Sequence, residues 1–266
     1  MTSDQRQVSR KDIYVSRLEV KDKVAIVTGG AGGIGSRIAR AFIEAGAKVV
    51  IASRNQRNLD KLAAELNSSG GEALAVATDA CDPAQVDNLV KQTIDRFGRI
   101  DILVNNAGGG AGGKAEDLTL DLWNSQIALN LTSVVICTMA VVKGMIAQKS
   151  GKIINISSVA GVRKSPGLAP YAAAKAAVNS LTKNWAPSWA PYNINVNVVA
   201  PGLTATEGIK KWRGLPPDTD ADGNPLPPLT LHPKPEDVAD LVLFLASPAS
   251  DRITGETMLI RHFAEL

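Results

Sequence analysis

The sequence predicts an α/β protein in one domain: a doubly wound parallel sheet of about seven strands with helices on both faces. Three observations predict it. Short runs rich in valine and isoleucine alternate with segments whose apolar residues recur at helical spacing. A glycine-rich turn separates the first such run from the first such helix. No break in composition divides residues 21–266 into two units, a length that one large α/β domain can fill.

KVAIVT at 23–28 is the first strand, and Ile34, Ile38, Ala41, Phe42 and Ala45 mark the helix that follows its glycines. KVVIAS (48–53), a helix over 59–66 and ALAVAT (73–78) continue the alternation. Val86, Leu89, Val90, Ile94 and Phe97 define a third helical face before the strand DILVN at 101–105. Residues 118–148 form a long apolar helical stretch, GKIINIS (151–157) a fifth strand, 170 to about 186 a further helix, and NINVNVVA (193–200) a sixth strand. A helix carrying Val238, Leu241, Val242 and Leu245 precedes the last strand, ETMLI, at 256–260. Strands alternating with helices in this way require right-handed crossovers and a sheet buried on both sides.

Two segments stand outside the pattern. The first 20 residues read as a polar extension preceding the domain, with Tyr14, Val15 and Leu18 as the residues that would clip it onto the domain. Residues 203–235 hold half of the chain's fourteen prolines and are expected to be an irregular excursion, with a substrate lid at about 203–232 containing Trp212 and Leu215.

Composition excludes several classes of function. The net charge of +3 is spread along the chain without a basic block, which gives no reason to expect nucleic acid or an anionic membrane as partner. Cys81 and Cys137 are far apart, and His232 and His262 lack companion ligands at metal spacing, so no disulfide framework and no metal are expected. No run of about 18 apolar residues is evident and the N-terminus resembles no secretory signal, so a cytoplasmic protein is expected.

TGGAGGIG (28–35) carries the first functional expectation. Gly29 permits the tight turn, Gly33 lets the backbone approach a pyrophosphate, and Gly35 lets helix and strand pack closely, while the helix N-terminus presents N–H groups to the phosphates. At the end of the second strand a carboxylate would favour NAD, but Ser53 and Arg54 stand there. A guanidinium suits a 2′-phosphate, so NADP(H) is the preferred cofactor, with NAD(H) as the alternative. A solvated loop arginine is the competing reading of Arg54.

SSVAGVRKSPGLAPYAAAK (157–175) carries the second. Tyr171 and Lys175 are four residues apart on a helix beginning near Pro170, so they share a face. Ser158 ends the fifth strand, on the same carboxyl edge of the sheet as the glycine turn. A tyrosine beside an ammonium can exchange protons more readily than one in water, so Tyr171 reads as an acid/base, with Ser158 holding a substrate oxygen. Taken alone, the pair is better read as a packed tyrosine beside a solvated lysine, and it is the context of the glycine turn and Ser158 that favours the acid/base reading.

Together these residues resemble the short-chain dehydrogenase/reductase family in its single-domain form of about 250 residues, over about 20–260 of this chain. TGGAGGIG is similar to that family's glycine motif, NNAG (105–108) to its motif after the fourth strand, and APGLTAT (200–206) to its segment beside the nicotinamide. Ser158, Tyr171, Lys175 and Asn130 match its active-site residues. The resemblance implies a Rossmann-type fold and an NADP-dependent oxidoreductase that interconverts a secondary alcohol and a ketone, with Tyr171 as acid/base and Ser158 orienting the substrate. It implies that Lys175 holds the nicotinamide ribose and lowers the Tyr171 pKa, and that Asn130 positions a water behind the lysine. Gly29, Gly33, Ile34 and Gly35 would face the pyrophosphate and Ser53 and Arg54 the adenosine ribose. Asp79 and Ala80 would line the adenine, Asn105, Asn106, Ala107 and Gly108 would approach the adenine ribose, and Pro201, Gly202, Leu203, Thr204 and Thr206 would hold the carboxamide. A homotetramer or homodimer through the long helices is also implied.

The chain departs from that pattern in four places. Pro187, between Trp185 and Trp189, is expected to end or kink its helix early. Those two tryptophans read as core or subunit packing, or else as a wall of the substrate site. Asn193 replaces a glycine where a left-handed conformation is needed, which asparagine tolerates. RHFAEL (261–266) closes the chain in place of an Asp-Gly-Gly, and GGGAGG (108–113) reads as a flexible loop or as room for a bulky substrate. A dinucleotide-binding sensor without catalysis, and an isomerase or dehydratase with tightly held NAD, are the alternatives to a dehydrogenase.

Overall fold

The computed structural model describes residues 18–215, 217–219 and 222–262, apart from the side chain of Trp212. Tyr14 and Val15, read as part of the polar extension, lie outside the described residues, as does the tail beyond His262. Leu18 is exposed, whereas Val20 is buried in the core and its N–H donates to the Ala45 carbonyl.

Seven parallel strands form one sheet: β1 Val24–Thr28, β2 Lys48–Ser53, β3 Glu72–Ala77, β4 Ile102–Asn105, β5 Gly151–Ile156, β6 Ile194–Pro201 and β7 Thr257–Ile260, in the order β3-β2-β1-β4-β5-β6-β7. Between them run α1 Gly33–Glu44, α2 Gln56–Ser68, α3 Pro83–Phe97, α4 Leu120–Ile127, α5 Ser133–Gln148, α6 Ala169–Trp189, α7 Glu207–Arg213 and α8 Pro235–Ala246. The order reverses between β1 and β4, which places the ligand crevice at the carboxyl ends of those strands. One core layer packs α1, α2 and α8 on the sheet through Ile38, Phe42, Leu59 and Val242, and the other packs α3, α5 and the end of α6 through Leu89, Val141 and Met145.

The helices start where local chemistry dictates. Asp82 caps α3, accepting from the N–H groups of Ala84 and Gln85 at 2.9 and 3.3 Å, with Pro83 in the first turn. On α3, Thr93 is buried while Ile94 is exposed, the reverse of the sequence reading. The Thr93 hydroxyl donates to the Leu89 carbonyl at 2.7 Å, which satisfies its polar atom inside the core.

The long apolar stretch read over 118–148 divides into α4, a π turn at Ala128–Thr132, and α5. Against the expectation that no run reaches membrane length, Leu120–Gln148 is long and apolar enough to span a bilayer by length and composition. Its buried residues, among them Val134, Cys137, Val141 and Met145, pack on the sheet.

Pro187 does not end α6, which runs on to Trp189. It falls in the last turn, where Trp185 and Trp189 stack with centroids 5.3 Å apart and pack on the core. Tyr171 lies eighteen residues earlier on the same helix, about 27 Å away at 1.5 Å per residue, so the tryptophans are packing residues and form no wall of the catalytic end. Asn193 adopts the left-handed conformation with φ 56°, as its side chain allows. The excursion after β6 is partly ordered, with α7, an isolated bridge between Thr219 and Pro225, and a 3₁₀ turn at Pro228–Thr230. His262 in the tail is buried with its ring edge-on to His232 of that excursion, centroids 4.2 Å apart.

Removing the α3 cap by Asp82→Ala is expected to destabilise the fold by about 1 kcal/mol, a fall of a few degrees in melting temperature. Thermal unfolding of the two proteins measures it.

Candidate active site

The carboxyl ends of β1 and β4 are tied by Thr28. Its hydroxyl accepts from the N–H groups of Asn106 and Ala107, both at 3.0 Å, and donates to the Val104 carbonyl at 3.3 Å. The Asn106 amide returns to the carbonyls of Thr28 and Gly29 at 2.9 and 3.2 Å. Gly29 needs its positive φ of 64°, and a Cβ at Gly35 would collide with the Gly29 carbonyl, so the turn and the helix behind it close on each other. Gly33 also has positive φ, and a Cβ there would come 3.5 Å from Thr206, which brings the loop after β6 over the start of α1. Ile34 is half-buried and packs on the core below the turn.

At the end of β2 the Ser53 hydroxyl is buried with no hydrogen-bond partner, beside the exposed Arg54. Asp79 is half-buried and its carboxylate accepts from the Cys81 N–H at 2.9 Å, while Ala80 is packed in the core. Burial and the nearby Asp79 raise the Cys81 thiol pKa, with Arg54 acting in the opposite direction. These ends of β2 and β3 therefore share one electrostatic neighbourhood. A hydroxyl without a partner among the described residues, an exposed guanidinium side chain and a glycine turn that a Cβ would fill fit the polar end of a dinucleotide.

Asn105 behaves differently from its neighbours. Its amide donates to Thr138 at 3.0 Å and to Asn155 at 2.8 Å, and Asn155 in turn donates to Thr182 at 2.9 Å. The side chain is thus turned into the protein, toward α5 and α6. The expected approach of Asn105 to a ribose is left to its main chain.

Across the crevice, Ser158 stands two residues beyond β5 and caps the 3₁₀ turn Val159–Gly161. Its hydroxyl accepts from the Ala160 N–H at 3.1 Å, lies 3.4 Å from the Pro201 carbonyl and hydrogen-bonds toward Tyr171. Gly202 is held by its N–H on the Ile260 carbonyl at 2.7 Å, Leu203 is half-buried, and the Thr204 hydroxyl donates to the Gly202 carbonyl. The Lys175 ammonium is buried, donates to the Ile156 carbonyl at 2.8 Å and sits 5.7 Å from the Tyr171 ring centroid. The Ser157 hydroxyl donates to the Lys175 carbonyl at 3.1 Å, and Gly161 packs so closely on the Lys175–Ala176 backbone that a Cβ would lie 2.7 Å from it. Those two contacts fix α6 against β5.

Burial shifts both titrating groups. The Lys175 pKa falls from 10.5 to about 8. The Tyr171 phenol is pushed above 10.0 by burial, with the Ser158 hydrogen bond pulling the other way. Desolvation outweighs that hydrogen bond in setting the direction.

Asn130 is tied to the segment after β4. Its side chain exchanges two hydrogen bonds with Gly109, Oδ1 accepting at 3.0 Å and Nδ2 donating at 3.1 Å, and Nδ2 reaches the Gln126 carbonyl at 3.1 Å. Oδ1 and Nδ2 are both engaged by protein groups. Gly108 lies between Asn130 and Lys175, where a Cβ would come 2.8 Å from the asparagine Oδ1 and 3.3 Å from Nζ. Thr28, Gln126, Ser157 and Gly161 were not singled out from sequence. Gln126 alone carried a usable signal, being one helical turn before Asn130.

The family model for short chain dehydrogenases matches residues 23–214. A 3-oxoacyl-[acyl-carrier-protein] reductase of Synechocystis sp. is 43% identical over 237 residues, covering 88% of this chain and 94% of that protein. An NAD-dependent glycerol dehydrogenase of Listeria innocua is 38% identical, covering 91% and 93%. Among solved structures, a 7α-hydroxysteroid dehydrogenase complexed with NADH and 7-oxo glycochenodeoxycholic acid superimposes with a TM-score of 0.84 at 30% identity, covering 92% of this chain and 95% of that one.

Thr28→Val keeps the shape of the β1 terminus but leaves the Asn106 and Ala107 N–H groups without an acceptor, which is expected to destabilise the fold by about 1–3 kcal/mol. Chemical denaturation checks it, and nicotinamide dinucleotide binding by the same variant is expected to weaken.

Proposed function

Since the chain belongs to the short-chain dehydrogenase family and is an NAD(P)-binding oxidoreductase, we propose that it interconverts a secondary alcohol and a ketone with NADP(H), NAD(H) being the weaker alternative. The observation that carries the proposal is the meeting of Ser158, Tyr171 and the buried Lys175 ammonium at the end of β5, across the crevice from the glycine turn. A nicotinamide bound there supplies hydride to a carbonyl carbon or accepts it from a carbinol.

Ser158 holds the substrate oxygen, and Tyr171 gives that oxygen a proton in reduction or removes it in oxidation. A phenol raised by burial is protonated at neutral pH and is ready for the reductive direction. Oxidation requires its conjugate base, so that rate should rise with pH. Lys175, with a pKa of about 8, is mostly an ammonium at neutral pH and stabilises the phenolate as it forms. Asn130 supports the loop beside Tyr171. Gly29, Gly33, Ile34 and Gly35 form the pyrophosphate turn, with Asn106, Ala107 and Gly108 alongside the adenosine ribose. Asp79 and Ala80 flank the adenine. Pro201, Gly202, Leu203, Thr204 and Thr206 cover the nicotinamide side, with the substrate lid at about 203–232.

Preference for NADP rests on Ser53 and Arg54: an unpartnered hydroxyl and a cation suit a 2′-phosphate, and no carboxylate stands there to favour the two ribose hydroxyls of NAD. Relatives named for acyl-carrier thioesters, glycerol and steroids support a small-molecule alcohol or ketone as substrate. A homodimer or homotetramer is part of the same proposal, supported by an open apolar hollow of Leu131, Val135, Ala177 and Leu181 on the outer face of the π turn, α5 and α6. So is a cytoplasmic setting, where the cofactor pool is available.

A 3-oxoacyl thioester, glycerol and a 7-hydroxysteroid, each assayed with both cofactors by absorbance of the reduced nicotinamide, test the activity. Tyr171→Phe is expected to lower kcat about 10²- to 10⁴-fold with cofactor affinity retained, and full activity in that variant would eliminate Tyr171 as the proton carrier. Ser53→Asp combined with Arg54→Ser is expected to move the ratio of kcat/KM for the two cofactors toward NAD by about 10- to 100-fold. An unchanged ratio would remove Arg54 from the assignment.

A further inference from the structure

The glycine-rich segment after β4 is fixed at alternate residues. The N–H of Gly109 donates to Asn130 Oδ1 at 3.0 Å, that of Ala111 to Gln126 Oε1 at 3.1 Å, and that of Gly113 to the Gly167 carbonyl at 2.9 Å. The glycines between them turn the other way. A Cβ at Gly110 would come 3.6 Å from the Tyr171 ring and 3.7 Å from Leu168, and one at Gly112 would strike the Gly167 carbonyl oxygen. Gly167 itself has φ 79°, and Leu168 is the cap from which α6 and Tyr171 begin. The segment is thus tied to Asn130 and Gln126 at Gly109 and Ala111, and to the loop that precedes the catalytic helix at Gly113. This replaces the reading of 108–113 as a flexible loop.

We propose that Gln126 is a positioning residue for proton transfer, holding the 109–113 strip as the wall that packs against the Tyr171 ring. Gln126 is buried, and its Oε1 accepts from both the strip, at Ala111, and Asn130 Nδ2 at 3.3 Å. It therefore joins the two anchors nearest Tyr171 into one unit. Neither Gln126 nor Gly112 touches the reacting atoms. Their effect passes through the strip, which excludes water from one face of the phenol and limits where its hydroxyl can point. A displacement of about 1 Å at a reacting group can change a rate by about 100-fold.

The inference rests on Tyr171 being the acid/base, and its test separates the two. Gln126→Met keeps volume and removes the acceptor, Gln126→Glu restores an acceptor at the same place, and Gly112→Ala places a methyl against Gly167. Gly167→Asn changes the partner while tolerating the left-handed backbone. For each, kcat per folded molecule, counted by NADPH binding, is measured with the most active of the three substrates above. Gln126→Met and Gly112→Ala should fall about 10- to 100-fold in kcat with NADPH affinity unchanged, and Gln126→Glu and Gly167→Asn should stay closer to the parent.

A second readout needs no turnover. The chain has three tyrosines, so the ultraviolet titration of Tyr171 is isolated as the difference between each protein and its own Tyr171→Phe derivative. Admitting water past a loosened strip should lower the phenol pKa toward 10 in Gln126→Met and Gly112→Ala. An unshifted titration in Gln126→Met overturns the proposal even if Gly112→Ala fails to fold. Undiminished kcat in Gln126→Met alongside an inactive Tyr171→Phe overturns it too, whereas an active Tyr171→Phe removes the underlying assignment.

Discussion

The buried ammonium of Lys175 is the constraint around which the rest of the site is arranged. It donates to the Ile156 carbonyl at the end of β5, and burial draws its pKa from 10.5 down to about 8. The sign of the linkage follows. Between those values the unfolded lysine binds more proton than the folded one, so its contribution to stability rises with pH across that window and is least favourable below about 8. At neutral pH, then, the fold retains a cation that it would hold more easily without its proton. Ser157 on the Lys175 carbonyl and Gly161 against the following backbone prevent α6 from moving away to relieve it.

That restraint extends through the sheet. Asn105, Thr138, Asn155 and Thr182 form a buried polar chain linking β4 to α5 and to β5, and β5 to α6, the helix that carries Tyr171 and Lys175. Such a chain is worth more for the uniqueness of the packing than for stability, because each member would be left unsatisfied by a slip of one residue. Thr28 does the same at β1 and β4 for the phosphate side. The two halves of the crevice are therefore set by different polar networks on adjacent strands, and β4 belongs to both.

Much of this was legible in the sequence because it depends on local pattern. Strand runs, helical spacing and the glycine turn define the sheet and its carboxyl edge, and the family resemblance brought Ser158, Tyr171 and Lys175 to that edge. What was misread depends on where side chains find partners across the fold. Asn105 and Asn106 are adjacent and chemically identical, yet β pleating sends the first into the core and leaves the second on the glycine turn. The direction of the Tyr171 shift required knowing how completely the phenol is covered. Pro187 was read by the rule for helix interiors, but in a last turn the missing N–H removes a single bond and the stacked tryptophans hold the remainder on the core.

The glycines after β4 show the same dependence most clearly. Composition makes GGGAGG a flexible linker, since each glycine adds conformational freedom to the unfolded chain. In the fold, Gly108, Gly110 and Gly112 are each small for a different reason: the first meets Asn130 and Lys175, the second the Tyr171 ring, and the third the Gly167 carbonyl. Gly109 and Gly113 have open space at the Cβ position and contribute their N–H groups. The run is therefore a close approach of backbone to the catalytic helix repeated at a period of two, the period of an extended chain. A side chain at Gly108 or Gly112 would have to displace Asn130 or the Gly167 backbone, whereas a Cβ at Gly110 would meet the Tyr171 ring at ordinary contact distance, so the geometry requires glycine at two of the three positions and the entropy lost on ordering the segment is offset by the bonds that anchor it.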